Sequence, residues 1–203
     1  MNILLREYVK KILIENLNDV NQEDLTQFII RSNEIENYKL AEDEVHEAIE
    51  GYLQGYPPTY VTQNPHIFSH LSGLDAAKKG FSTVNDITNI HRAMGAASLE
   101  AGALGALRSG VEAQSAGGTK YIQSKDVPKA LTWWTSQSWS NPFEAHTVYE
   151  LIHPFGDGNG RSGRIILAAM LNFDFATVNN LIDQSYFSNL DKAGKKYQGE
   201  FWK

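Results

Sequence analysis

Apolar residues in the first part of the chain recur at helical spacing and predict a series of amphipathic helices. A second helix is expected to begin near Asn21, a residue suited to capping, because two acidic side chains follow in its first turn. A third helix is expected over about 41–53, and the three prolines of segment 55–65 predict a loop. The first helix is predicted from four apolar residues that share one face: Leu4, Tyr8, Ile12 and Leu13.

The second half of the chain predicts further helices around one exception. Segment 108–128 lacks helical periodicity, and β-compatible residues flank Gly117-Gly118, which predicts a short hairpin. Asn141 followed by Pro142 is a strong helix start, and Pro154 ends that helix. The predicted helices cover about 85–97, 141–152, 164–172 and 183–196. The fold class expected from this pattern is all-α, a helical bundle with one β-hairpin.

Composition narrows the class of protein. The 203 residues are 42% hydrophobic, which suffices for one domain with a sizeable core, so we expect a single domain over 1–203. The net charge of −6 comes without a basic stripe, which argues against a nucleic-acid partner. The chain has no cysteine, no signal-peptide pattern and no apolar run long enough for a membrane span, so we expect a cytoplasmic protein without a membrane partner.

The stretch HPFGDGNGRSGR, residues 153–164, combines four glycines with several charged groups. Glycine permits positive φ angles and lets backbone N–H groups converge into a concave nest, and a nest that opens a helix is an anion site. A plain surface turn is the alternative, but such a turn needs only one or two glycines. The order of residues matches neither a Walker A loop nor, without a preceding strand, the dinucleotide fingerprint. The glycines are Gly156, Gly158, Gly160 and Gly163.

The charged residues of this stretch suit a nucleotide polyphosphate. Arg161 and Arg164 lie three apart, so both can face one anion, and their planar forks suit phosphate oxygens. Asp157 would repel bare phosphate but fits a Mg²⁺ ion that bridges it to phosphates. His153 is the group that can act as a base near pH 7.

The same stretch resembles the signature of the Fic family, His-x-Phe-x-(Asp/Glu)-Gly-Asn-(Gly/Lys)-Arg-x-x-Arg, at every defined position. Residues 145–155 resemble the family's central helix, Gly105–Arg108 resembles the Gly-x-x-Arg before its flap, and the segment around Gly117-Gly118 resembles the flap. The resemblance implies a helical bundle around a central helix pair, with a Fic core over about 85–203 and N-terminal helices over about 1–60. It also implies transfer of AMP from ATP to a Tyr, Thr or Ser hydroxyl of a target protein, with Mg²⁺, and it allows a homo-oligomer.

The resemblance also implies a role for each residue of the motif. His153 would deprotonate the attacking hydroxyl, Phe155 would anchor the loop in the core, and Asp157 would hold Mg²⁺. Arg161 would bind the β-phosphate and Arg164 the γ-phosphate. The remaining nucleotide-binding residues would be those of the nest, with the Asn159 side chain on the α-phosphate: Gly158, Asn159, Gly160 and Gly163.

An acidic residue lies on the apolar stripe of the second predicted helix. Glu36 follows Ser32 by four positions, and a buried carboxylate needs a cationic partner. Segment 32–37, SNEIEN, resembles the Fic inhibitory motif (Ser/Thr)-x-x-x-Glu-(Gly/Asn), in the class that has this helix before the core. The resemblance implies that Glu36 pairs with Arg164 and restrains the reaction, with Ser32 steadying the pair. The alternatives to AMP transfer are removal of AMP from a modified protein, transfer of another phosphate-containing group, and nucleotide sensing without catalysis.

Overall fold

The computed structural model describes residues 20–95, 104–110, 121–197 and 201–202, and the part it describes is helical, without strands. The predicted helix at residues 4–13 and the hairpin around Gly117-Gly118 lie outside the described residues. Two 3₁₀ helices, Ser124–Asp126 and Lys195–Tyr197, accompany the α-helices. The α-helices are α1 Gln22–Glu34, α2 Glu42–Leu53, α3 Pro58–Val61, α4 Pro65–Ala77, α5 Val84–Ala93, α6 Val127–Ser136, α7 Pro142–Ile152, α8 Asn159–Met170, α9 Phe175–Leu181 and α10 Tyr186–Gly194.

Two helix starts that were predicted from capping residues are confirmed. The Asn21 side chain accepts hydrogen bonds from the backbone N–H groups of Glu23 and Asp24, at 2.8 and 3.3 Å. The Asn141 side chain does the same at the start of α7, where Pro142 occupies the first helical position. Each cap satisfies N–H groups that the helix cannot satisfy itself.

Other elements differ from the prediction for local reasons. Helix α8 begins at Asn159, five residues before the predicted start, because Gly158 takes the left-handed conformation, with φ +73°, and the glycines that follow are helical. The expected loop 55–65 contains the short helix α3, and its last residue, Pro65, opens α4 behind the cap of Asn64. Helix α9 was not predicted, and the last predicted helix is shortened to α10.

Helix α8 lies at the centre of the fold and is buried from Arg161 to Ala169. It packs against α7, which forms the expected central helix pair, and against α4, α9 and α1. At the α4 contact, a Cβ on Gly73 would lie 2.6 Å from the Ile165 side chain, so the small residue lets the two helices approach closely. One buried hydrophobic cluster joins helices from α1 through α10, and therefore the N-terminal helices share the core that supports α8. None of the helices in the described ranges combines the length and apolar character needed to cross a membrane.

Candidate active site

The start of α8 is the end of the site that suits an anion. Gly158 occupies the N-cap position of this helix and has no side chain, so it cannot accept hydrogen bonds from the N–H groups of the first turn. The first intrahelical bond of the turn runs from Ser162 N to Gly158 O at 3.0 Å. A helix start without a side-chain cap favours a bound anion through its N–H groups and its dipole.

Asp157 and Arg161 lie side by side at this helix start. The Arg161 Nη2 atom is 3.6 Å from Asp157 Oδ2, and Asp157 Oδ1 accepts a hydrogen bond from Gly158 N at 2.6 Å. The Asp157 side chain is 52% exposed. Within the described residues no group of three or more His, Cys, Asp or Glu side chains could hold a metal. A single accessible carboxylate suits Mg²⁺, which completes its shell with substrate phosphates and water.

His153 ends α7 next to this loop. It adopts a left-handed backbone conformation, with φ 49° and ψ 61°, and its N–H donates to Tyr149 O at 2.9 Å. The imidazole stacks on the Tyr121 ring at a centroid distance of 3.8 Å and an interplanar angle of 6°. Burial, followed by the positive charge of Arg108, lowers the pKa of His153 to about 4, although the Glu150 backbone carbonyl offsets part of this. The ring is therefore neutral at pH 7 and can accept a proton.

Arg108, the arginine of the Gly-x-x-Arg segment, holds the end of α7. Its Nε donates to His153 O at 2.6 Å, and its Nη2 donates to Ile152 O at 3.2 Å and to Ile122 O. Its backbone N–H donates to Pro154 O at 2.9 Å. The last carbonyls of a helix lack intrahelical donors. The Arg108 guanidinium donates to two of them, Ile152 O and His153 O, and thereby fixes the backbone of His153.

The side chain of Asn159 supports the loop. Its Oδ1 accepts from Phe155 N at 2.8 Å and its Nδ2 donates to Phe155 O at 2.9 Å, so both ends of the amide are engaged. Because the amide nitrogen has two hydrogens, the contact between the Asn159 side chain and a phosphate stays a prediction. Phe155 itself is fully buried, as the anchoring role requires.

Gly163 also lies elsewhere than expected, because α8 starts five residues early. It is buried inside α8, where a Cβ would lie 3.0 Å from both His146 Cε1 and Tyr149 Cδ1 and would overlap Glu150 Oε1. Its position therefore serves close packing between α7 and α8. His146, which the sequence places on the same face as His153, is buried and bonds Tyr186 Oη at 2.7 Å.

His91 on α5 supports the glycine-rich loop, a role that the sequence does not indicate. Its ring stacks on Phe155 at a centroid distance of 3.7 Å, and its Nδ1 accepts from Gly105 N at 2.9 Å. The other nitrogen, Nε2, therefore carries the proton and donates to Asp157 O at 2.9 Å. Burial lowers the pKa of His91, which keeps this neutral tautomer. Its partners lie 14 and 66 residues away, so no local pattern could reveal them.

Arg164 is brought together with both residues of the candidate inhibitory segment. Its Nη2 donates to Glu36 Oε1 at 2.7 Å and to Ser32 O at 2.8 Å, and its Nε donates to Ser32 Oγ at 2.8 Å. The Arg164 side chain is 1% exposed and that of Glu36 is 33% exposed. Gly160 leaves room for this contact, since a Cβ there would lie 2.5 Å from Glu36 Oε1 and 2.8 Å from Arg164 Nη1. We call the group Ser32, Glu36 and Arg164 the latch.

Part of the chain matches a known protein family. Residues 81–171 match the model of the Fic/DOC family. A protein of Aquifex aeolicus (strain VF5) with the name "Probable protein adenylyltransferase" is 69% identical over 26 residues, which cover 13% of this chain and 8% of that protein. The latch residues Ser32 and Glu36 lie outside the range of the family match.

Two solved structures share the fold. A Fic family protein from Desulfovibrio desulfuricans G20 superimposes with a TM-score of 0.55 at 19% identity, over 94% of this chain and 65% of that one. A Fic domain containing signaling protein from Bacteroides thetaiotaomicron VPI-5482 gives a TM-score of 0.50 at 18% identity, over 87% of this chain and 81% of that one. Residues 81–171 therefore match the Fic/DOC family model in sequence, and the two structures show that the helical fold is shared.

Proposed function

We propose that this protein transfers AMP from ATP to a Tyr, Thr or Ser hydroxyl of a target protein, and that Glu36 restrains the reaction. The observation that carries the proposal is the arrangement of the motif: His153 ends α7, the glycine-rich loop leads from it to the start of α8, and Arg161 and Arg164 lie in the first two turns of that helix. The partial relative named an adenylyltransferase supports the choice of AMP as the transferred group.

The chemistry follows from the position of these groups. The target hydroxyl oxygen attacks the α-phosphorus, its proton passes to the His153 ring, and the bond from the α-phosphorus to the pyrophosphate oxygen breaks. The N–H groups at the start of α8 and the guanidinium of Arg161 stabilise the charge on the phosphates. Mg²⁺ held by Asp157 would supply further neutralisation of that charge. The protein contributes position and electrostatics, and His153 receives the one proton released.

The latch competes with this arrangement. In the latch, the Arg164 Nη2 is engaged by Glu36 and Ser32 and is not available to the terminal phosphate. The Glu36 carboxylate also brings a negative charge to the place where phosphate oxygens would lie, and like charges repel. An intact latch therefore lowers the rate of transfer by withholding one of the two arginines.

Labelled ATP tests both parts of the proposal. Wild type, Glu36→Gly and Glu36→Gly/His153→Ala are incubated with Mg²⁺, cell lysate and ATP labelled at the α- or γ-phosphate. Glu34→Gly is the matched control, because Glu34 is an exposed acidic residue at the end of α1, two residues before Glu36. We expect α-label on protein to rise in Glu36→Gly, to stay at the wild-type level in Glu34→Gly, and to disappear without His153.

Each other outcome points to a specific failure. Transfer of γ-label alone would replace AMP transfer with phosphate transfer. Calorimetric ATP binding without any label transfer would make the protein a nucleotide-sensing module. Equal labelling by wild type and Glu36→Gly would refute the restraint, and loss of AMP from an AMP-bearing protein would favour the reverse reaction.

A further inference from the structure

His70 is a buried titratable residue of α4 to which neither the sequence nor the proposed chemistry gives a role. Its side chain is fully buried, and its two ring nitrogens have different partners. Nε2 lies 2.8 Å from Ser32 Oγ, and Nδ1 lies 3.0 Å from the backbone carbonyl oxygen of His66, one helical turn earlier. His70 therefore contacts the latch from a helix that belongs neither to α1 nor to α8.

The partners of Nδ1 assign its proton. Nδ1 lies 3.0 Å from His66 O, which only accepts, and 3.3 Å from Asn33 Nδ2, which only donates and already donates to Ile29 O at 2.8 Å. The shorter contact, with the carbonyl, assigns the proton to Nδ1. Burial lowers the pKa of His70 to about 3, with some compensation by the His66 carbonyl, and the nearby arginines lower it further. The ring is therefore neutral, and its bare Nε2 accepts the hydroxyl proton of Ser32.

This proton position determines what Ser32 offers to Arg164. With the O–H directed at His70, an oxygen lone pair remains for Arg164 Nε, which donates to it at 2.8 Å. A serine inside a helix otherwise tends to turn its hydroxyl to the carbonyl four residues earlier. If the His70 ring were cationic, its Nε2 would donate to Ser32 Oγ, and the serine oxygen would face two cationic donors, His70 and Arg164.

We propose that His70 is a positioning residue of the latch: it holds the Ser32 hydroxyl in the orientation that receives Arg164, and thereby strengthens the grip of Glu36 on that arginine. This inference rests on the proposed function, because the latch matters only if it restrains transfer. The chain of contacts from the His66 carbonyl through His70, Ser32 and Arg164 to Glu36 links α4, α1 and α8. A change that destabilises α4 should therefore also weaken the restraint.

The test compares two substitutions of different chemistry. His70→Gln keeps a carbonyl oxygen within reach of Ser32, whereas His70→Leu is apolar and cannot accept the hydroxyl proton. We expect transfer of α-label to rise about three- to tenfold in His70→Leu, the effect of one misdirected hydrogen bond, and to stay within about twofold of wild type in His70→Gln. Ser69→Ala is the matched control, because Ser69 is buried beside His70 and its hydroxyl has no hydrogen-bond partner in the part of the chain that the structure describes.

Non-additivity separates positioning from a general loss of stability. The His70→Leu increase should vanish in the Ser32→Ala and Glu36→Gly backgrounds, since the latch is already broken there. An equal increase in all backgrounds, or none in wild type while Glu36→Gly is activated, would overturn the role of His70 alone. Failure of Glu36→Gly to raise transfer would overturn the proposed restraint and this inference together.

The wild-type protein gives a second measurement that does not depend on any variant folding. With ¹⁵N-labelled histidine, we expect the His70 resonances to show protonated Nδ1 and unprotonated Nε2 between pH 5 and 8. A proton on Nε2 would contradict the assigned donor and acceptor and would overturn the proposal, even if His70→Leu failed to fold.

Discussion

Substitution of Gly163 by alanine tests whether this residue packs helices or binds nucleotide. The methyl group would enter a space bounded by α7, with His146 Cε1 and Tyr149 Cδ1 at 3.0 Å and Glu150 Oε1 closer still. The Glu150 side chain is only 16% exposed and its Oε1 is buried, so it cannot simply swing into solvent. Overpacking of this kind costs about 1–3 kcal/mol.

Gly194 offers a matched control in α10. A Cβ there would lie 3.5 to 3.8 Å from Leu151 and Thr147, which is ordinary van der Waals contact. Both substitutions gain up to about 1 kcal/mol of helix propensity, and only Gly163→Ala pays for it with a clash. We therefore expect Gly163→Ala to lose about 1–2 kcal/mol net, and Gly194→Ala to gain a few tenths to about 1 kcal/mol.

Thermal unfolding and calorimetry distinguish the two roles of Gly163. For a chain of this length, the expected changes correspond to a Tm lower by about 2–8 °C in Gly163→Ala and a Tm raised by up to about 4 °C in Gly194→Ala. ATP affinity in the Glu36→Gly background should stay within about threefold, because Gly163 lies inside α8 and not at its start. Unchanged stability with a large loss of ATP affinity would refute the packing argument and restore the nucleotide contact that the sequence predicts.

Two further predictions concern the buried charges. Arg108→Lys should lower the free energy of unfolding, measured with urea, by about 2–4 kcal/mol and should lower kcat more than ATP affinity. The reason is that an ammonium cannot donate to the carbonyls of His153, Ile152 and Ile122 together. An unchanged kcat would contradict the role of Arg108 in holding the end of α7. The free energy of unfolding should fall by about 2–3 kcal/mol per pH unit between about pH 6 and 4.5, and a flat profile would contradict the assigned protonation states. Three buried histidines stay neutral in the folded state over this range, whereas in the unfolded state they have a pKa near 6.5 and take up one proton each. Burial raises the pKa of Glu150 to about 7, so the folded state holds a proton there that the unfolded state has lost, which offsets about one of the three. The histidines concerned have pKa values lowered by burial: His70 and His146 to about 3, His153 to about 4.

The parts of the fold that the sequence predicted are those set by local chemistry. Asn21 and Asn141 cap the helices that follow them through N–H groups two and three residues away, and this information is contained in the segment itself. The all-helical class follows from apolar spacing in the same way and is confirmed, whereas the central helix pair was implied by the family resemblance. The glycine-rich stretch misled the prediction of the α8 start, because glycine is compatible with both a turn and a helix, and the burial of α8 decides in favour of the helix.

The residues that the sequence missed depend on distant partners. His91 and His70 are single histidines on helices, and nothing within a few positions distinguishes them from ordinary core residues. Their roles come from contacts to Asp157 and Ser32, which only the packing of α5 and α4 against the site creates. The Asn159 side chain likewise has a supporting role that the sequence did not indicate, because its amide bonds both backbone groups of Phe155.

The surroundings of the two arginines explain how a latch can restrain transfer without closing the site. Arg161 lies beside Asp157, whose carboxylate is half exposed, whereas Arg164 is bonded to Ser32 of α1 and to Glu36, two residues after the end of α1. Breaking the latch exchanges one charged partner of Arg164 for another, a carboxylate for a phosphate, so the net change in free energy is small compared with either contact. A small difference of this kind is one that binding of a target protein, or a substitution as distant as His70, can reverse. The proposed restraint would therefore be adjustable, because a change of partner by Arg164 does not require the nest, His153 or Arg161 to move.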